Sequence, residues 1–158
     1  MKDALQTAWE EVLRPILLRP KRVQVAALCF RSGKGAEDDG PIKQVLLITS
    51  RGTGRWILPK GWPIDGKNGP ESALQEAWEE AGVTEAEINP EPIGQFDYDK
   101  LLDSGGITPV ETQVYMTRVR KLSETYPEAD QRERRWFSPA KAATLVDEPG
   151  LQEILRGL

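Results

Sequence analysis

The chain has 158 residues, a net charge of −4, one cysteine and no histidine, which excludes serine or cysteine catalysis through a histidine base and any histidine-ligated zinc. Cys29 cannot pair within the chain and suits a reducing compartment, and the net negative charge argues against nucleic-acid and anionic-membrane partners. No apolar stretch approaches the roughly 20 residues of a spanning helix and the N-terminus lacks a signal-peptide core, so a cytoplasmic protein is expected.

The length predicts one domain over residues 1–158, a monomer or homodimer. Leu5, Ala8, Trp9, Val12, Leu13 and Ile16 recur at helical spacing and predict an amphipathic packing helix within 1–18, perturbed at Pro15. Residues 23–30 and 44–49 are rich in branched apolar side chains and read as strands joined by the glycine-rich loop 32–41. A third short strand over 55–58 delivers the chain into the loop at Gly61.

The next segment predicts a helix of about three turns. Asn68 and Gly69 suit its entry, Pro70 has the fixed φ favoured at the first helical position, and Gly82 can take the left-handed conformation that closes it. At about 100° per residue, Ala77, Trp78 and Ala81 fall within roughly 60° of Leu74, while Glu76, Glu79 and Glu80 share the opposite side. Like charges one turn apart repel, by roughly 0.2–0.5 kcal/mol per pair. Hard oxygen ligands crowded in this way suit Mg2+ or Mn2+, whereas a solvated acidic face is the plainer reading of three glutamates taken alone.

Beyond the helix, residues 93–99, 112–120 and 132–137 read as strands, with a turn over 103–108, and residues 139–146 and 151–158 read as a C-terminal helical segment. Strands on both sides of a central helix, closed by more helix, predict an α/β chain with a mixed sheet between helical layers. Trp9, Trp56, Trp78 and Trp136 are expected in the core, while Trp62, in the Gly61 loop, is placed either to stack on a base or to pack the loop.

Gly61, Glu76, Glu79, Glu80, Gly82 and Val83 stand at the spacing of a known motif. The segment 61–83 resembles the Nudix box of the Nudix hydrolases: a glycine, five residues, a glutamate, seven residues, then Arg-Glu-apolar-x-Glu-Glu-x-Gly-apolar. Lys67 stands where the box has its first glutamate and Gln75 where it has its arginine. A Lys67–Gln75 hydrogen bond could replace the family's charged pair, and Asp65 or Glu71 could replace the missing ligand. Outside the box, KRVQVAALCFRSG, QVLLITSRGTGRWILPKG and RERRWFSPAKAATLV look like the branch that hydrolyses diphosphoinositol and diadenosine polyphosphates. One departure is Lys60-Gly61-Trp62, where the inositol enzymes tend to carry consecutive glycines.

The resemblance implies a Nudix-type α/β/α sandwich and a metal-dependent pyrophosphohydrolase using Mg2+, with Mn2+ as a substitute, on a small phosphorylated substrate. By resemblance Glu76, Glu79, Glu80 and the Gly61 carbonyl hold metal, and Glu79 and Glu80 are catalytic. The attacking water's base is either a box glutamate or a residue of the 124–130 loop. Lys21, Arg22, Arg51, Arg55 and Lys60 are the basic residues placed to meet a polyphosphate, and Arg132, Arg134 and Arg135 read mostly as solvated strand positions. The competing expectation is a catalytically weak Nudix-fold nucleotide-binding or regulatory module, motivated by Lys67 and Gln75.

Overall fold

A computed structural model describes Gln6 and residues 22–33 and 38–158. The expected helix within 1–18, Lys21 and residues 34–37 of the first loop lie outside the described residues. Strand β1 (Arg22–Arg31) is buried on consecutive residues from Gln24 to Phe30, as a strand covered on both faces must be. It runs parallel to β7 (Ile107–Leu122), in register from Arg22 opposite Val110 to Phe30 opposite Arg118. On β7's other side, β6 (Gly94–Leu101) pairs with its first half and β5 (Val83–Ile88) with its last, both antiparallel.

The opposite edge of β1 is shared. Its C-terminal end pairs with β2 (Gln44–Thr49), Phe30 opposite Val45, while its middle pairs with β4 (Lys60–Gly61), Val25 opposite Gly61 and Ala26 opposite Lys60. β2 in turn carries β3 (Trp56–Ile57) and β8 (Arg134–Phe137). The sheet therefore forks at β1, and Lys60 and Gly61 sit in the fork.

Alternate residues of β1 face two separate cores. Val25, Ala27 and Cys29 join Leu46, Ile48 and the Ala73, Ala77 and Ala81 stripe of helix α1 (Gly69–Ala81). Ala26, Leu28 and Phe30 join Leu47, Phe96 and Val114 beneath helices α2 (Pro139–Leu145) and α3 (Pro149–Arg156). This is the expected mixed sheet between helical layers, an α/β/α sandwich. Burial pushes the Cys29 thiol up to about 12, so it is inert as a nucleophile.

Two expectations are corrected. The face of α1 against the sheet is the alanine stripe, not Leu74 and Trp78; alanine lets the helix approach closely, and this rotation carries Glu80 to the buried side. Glu71 completes a capping box with Asn68, accepting from its N–H at 3.0 Å, so it serves the helix end rather than a metal. Gly82 closes the helix at φ 74°, as its sequence position predicts.

Candidate active site

The close approach of α1 presses its carboxylates onto β4. A Cβ added to Gly61 would collide with the Glu76 carboxyl, 2.8 Å from Oε2, so only glycine leaves room for that side chain. One turn on, Glu80 Oε2 accepts the Lys60 backbone N–H at 3.2 Å. The third carboxylate, Glu79, accepts from Gln75 Nε2 at 2.8 Å. Gln75 is thus bonded to the acidic cluster and not to Lys67, whose own N–H donates to the Ile64 carbonyl at 3.0 Å.

Arg132 holds the far side and is not the solvated strand residue that its sequence position suggests. Its side chain is 7% exposed, lies 3.5 Å from Glu80 Oε1 and 3.2 Å from Glu128 Oε1, and donates to the Thr49 carbonyl at 3.0 Å. Glu128 belongs to the 124–130 loop, and its N–H donates to the Glu79 carbonyl at 3.0 Å, which fixes that loop against α1. Of the loop's acidic residues, Glu128 faces the carboxylate cluster, while Glu124 is exposed and pairs with Arg134 at 3.2 Å. Arg134 is also structural, donating to the Ala81 and Ser123 carbonyls at 2.8 Å each.

These charges crowd one another. Burial, with the neighbouring Glu80 and Glu79 charges and a hydrogen bond to Glu80, pushes the Glu76 carboxyl up to about 8. Burial also raises Glu80, against the pull of Arg132 and the Lys60 N–H. Both carboxyls are thus held above the ordinary glutamate range by burial, and for Glu76 the neighbouring carboxylates add to it. Among the described residues no three carboxylates converge on one point, because Glu79 is turned toward Gln75. The donor set nevertheless fits a hard divalent cation: the Glu76 carboxyl, packed where a Cβ on Gly61 would fall and crowded by Glu79 and Glu80, gains most from an ion that replaces its proton.

Of the basic residues named from sequence, the four described ones, Arg22, Arg51, Arg55 and Lys60, are not gathered into one bare cationic basin. Arg22 stacks its guanidinium on Trp62, 4.2 Å from the ring centroid. Arg51 lies 3.5 Å from Glu128, and Arg55 lies 3.4 Å from Asp147. Lys60 turns to the opposite face of the sheet from Glu76, with Nζ 5.2 Å from the Tyr98 ring centroid. Burial pushes the Lys60 ammonium down to about 8 even though Glu148 and Glu80 pull it up. Sequence reasoning made Arg132 a mostly solvated strand position and gave Glu148 no role; a clue existed only for the first, in its place beside the 124–130 loop.

Lys67 is exposed and lines a groove of about 470 Å³ between α1 and β5, with Leu74, Gln75, Trp78, Val83 and Ala86. Trp78 is thus a groove wall and not a core residue. Trp56 packs edge-on against Phe137, centroids 5.1 Å apart, and Trp136 packs partly against the α1-side core. Lys67→Glu is expected to leave Mn2+ affinity and KM within about twofold, the usual size of a surface change. Mn2+ titration of both proteins checks this; a tenfold gain would place the residue at the metal.

Known proteins share the sequence pattern and the fold. The NUDIX domain family model matches residues 20–158. Nudix hydrolase 21, chloroplastic, of Arabidopsis thaliana is 33% identical over 118 residues, covering 71% of this chain and 54% of its own length. The chain thus spans about half of that relative. Among solved structures, a C. elegans Ap4A hydrolase superposes with a TM-score of 0.59 at 19% identity, covering 87% of this chain and 95% of that one. The NUDIX domain of Shewanella oneidensis NrtR, in complex with ADP ribose, also gives 0.59 at 19% identity, covering 99% and 97%.

Proposed function

The chain belongs to the Nudix family, and we propose that it is a metal-dependent hydrolase cleaving the pyrophosphate bond of a nucleoside diphosphate linked to another moiety, or its inositol analogue. The substrates that fit are a diadenosine polyphosphate or a diphosphoinositol polyphosphate. The observation that carries this reading is the seating of two α1 carboxyls on β4, Glu76 against Gly61 and Glu80 on the Lys60 N–H, an arrangement costly to a fold that makes no use of it.

Cleavage requires a water to be aimed at a phosphoryl group, charge on its oxygens to be neutralised, and a leaving oxygen to be stabilised. Glu76, Glu79, Glu80 and the Gly61 carbonyl would hold Mg2+ or Mn2+, which supplies positive charge for the phosphoryl oxygens and acidity for the attacking water. Arg132 keeps Glu80 aimed at β4, and Gln75 keeps Glu79 aimed along α1. The departing proton falls to Glu79 or to Glu128, two carboxylates fixed to each other through the Glu79 carbonyl. Turnover on a panel of dinucleoside polyphosphates, inositol pyrophosphates and sugar nucleotides with Mg2+ or Mn2+ tests the reading. Binding without turnover above a metal-free blank would make the chain a nucleotide-binding module instead.

The raised Glu76 carboxyl sets a pH dependence. Metal binding must expel its proton, so Mn2+ affinity is expected to rise about tenfold per pH unit below pH 8 and to level off above it. Calorimetry between pH 6 and 9 checks this, and a flat profile overturns it. For metal-free folding, native Glu76 holds its proton to about 8 where an unfolded glutamate loses it near 4.5. The stability it contributes is therefore complete below that lower value and lost as pH rises through about 8.

A further inference from the structure

The hydrolase reading leaves two substrate classes with opposite demands on the pocket. An inositol pyrophosphate presents phosphates around its whole ring, so every wall of its site must accept negative charge. A dinucleoside polyphosphate is charged only along its phosphate chain and ends in neutral groups rich in hydrogen-bond donors.

Glu148 separates the two. It lies at the N-terminus of α3, is only 5% exposed, and makes no capping bond with its side chain. Among the described residues its Oε2 is one of two buried side-chain oxygens without a hydrogen-bond partner, the other being Thr112 Oγ1. Buried polar oxygens are partnered as a rule, so an orphan carboxylate oxygen calls for a donor that the described residues do not supply. Its neighbour Asp147 pairs with Arg55, and Gly150, two residues on, packs against Phe96, whose ring lies 6.2 Å from that of Tyr98, so Glu148 belongs to the face of the sheet that carries Tyr98 and the Lys60 ammonium, opposite Glu76. Tyr98 donates to Gln24 Oε1 at 2.5 Å, and its ring lies under the Lys60 ammonium.

This group is continuous with the candidate site, because Lys60 precedes Gly61 in β4 and its N–H is bonded to Glu80. It is also balanced in charge. Lys60 faces Glu148 and Glu80, and the nearby Arg55 is paired with Asp147. A ring phosphate brought here would meet a buried carboxylate, with Lys60 and Arg55 already set against acidic groups and Lys100 the remaining nearby cation among the described residues. A neutral amino or hydroxyl group would satisfy the orphan oxygen.

We infer that Glu148 is a substrate-binding and specificity-determining residue that accepts a hydrogen bond from the nucleoside part of the substrate and rejects a further phosphate, making the substrate a dinucleoside polyphosphate. This rests on the hydrolase reading above. The donor is an amino group of the base or a hydroxyl of the sugar.

The test compares kcat/KM on a diadenosine polyphosphate and on a diphosphoinositol polyphosphate, with Mg2+, for the full chain, Glu148→Gln and Glu148→Lys. The wild type is expected to prefer the dinucleotide by at least about tenfold. A hydrogen bond to a charged group is worth roughly a tenfold to hundredfold factor. On the dinucleotide, Glu148→Gln should therefore raise KM about threefold to tenfold with little change in kcat. Glu148→Lys should raise it further while improving the inositol substrate. Should Glu148→Lys fail to fold, judged by circular dichroism, the near-isosteric Glu148→Gln decides alone.

A wild type that prefers the inositol substrate, or an unchanged KM for the dinucleotide in the folded Glu148→Gln variant, overturns the inference and leaves the hydrolase reading standing. No turnover of either substrate overturns the inference, and no turnover across the wider panel overturns both. A dideoxy dinucleotide identifies the donor: a rise in KM matching that of Glu148→Gln assigns the sugar, and no rise assigns the base.

Discussion

Glu80→Gln is expected to lower kcat by at least about a hundredfold while the protein remains folded. The Glu80 side chain is 8% exposed and touches both the Lys60 N–H and Arg132. Glutamine has the same shape and keeps an oxygen to accept from Lys60, so what it removes is charge. Arg132 is not orphaned, since Glu128 lies 3.2 Å from it and the Thr49 carbonyl 3.0 Å. Glu79→Gln is expected to produce a loss of similar order for the same reason. Steady-state kinetics beside circular dichroism separates the outcomes, and a folded Glu80→Gln protein with near-normal kcat would remove Glu80 from the catalytic assignment.

Gly61→Ala is expected to cost about a hundredfold in kcat and at least about tenfold in Mn2+ affinity, with little change in melting temperature. The new Cβ would fall onto the end of the Glu76 side chain. That end is flexible and half-buried, so the chain can accommodate the methyl group by turning the carboxyl aside, which protects the fold and dismantles the site. The β4 pairing of Gly61 with Val25 uses backbone only and survives. A variant that binds Mn2+ normally would show that Glu76 and Gly61 need not meet.

The part of the site legible in the sequence is the part written locally. Glu76, Glu79 and Glu80 share one helix, Gly61 opens the loop that feeds it, and Gly82 ends it in the left-handed conformation. Local spacing carries such features because one helix sets the geometry. The rotation of α1 was not local: Leu74 and Trp78 outrank three alanines in hydrophobicity, but only alanines let the helix settle closely on β1. Strand β5 was missed because Thr84, Glu85 and Glu87 are polar and a bulge at Glu85 breaks the alternation that would have revealed it.

Arg132 and Glu148 were hidden for a related reason. The partners of Arg132 come from α1, from the end of β2 and from its own loop, and the burial of Glu148 depends on α3 packing over β6. Each is an ordinary charged residue until the forked sheet brings distant segments together. The basic residues show the converse. Arg51 and Arg55 read as phosphate ligands from the chemistry of guanidinium, yet each already faces a carboxylate. The Arg55–Asp147 pair is exposed on both sides and the Arg51 side chain is exposed as well, so both guanidinium groups are held weakly enough for a phosphate to displace their partners.

The central claim, that the carboxylate cluster on β4 runs a metal-dependent pyrophosphate hydrolysis, is tested most directly by following a diadenosine polyphosphate by phosphorus NMR in heavy-oxygen water. The expected result is cleavage within the phosphate chain that needs Mg2+ or Mn2+, stops on chelation, and puts the heavy oxygen on one phosphoryl product. An intact substrate after prolonged incubation with either metal, together with intact substrates across the wider panel, would contradict it.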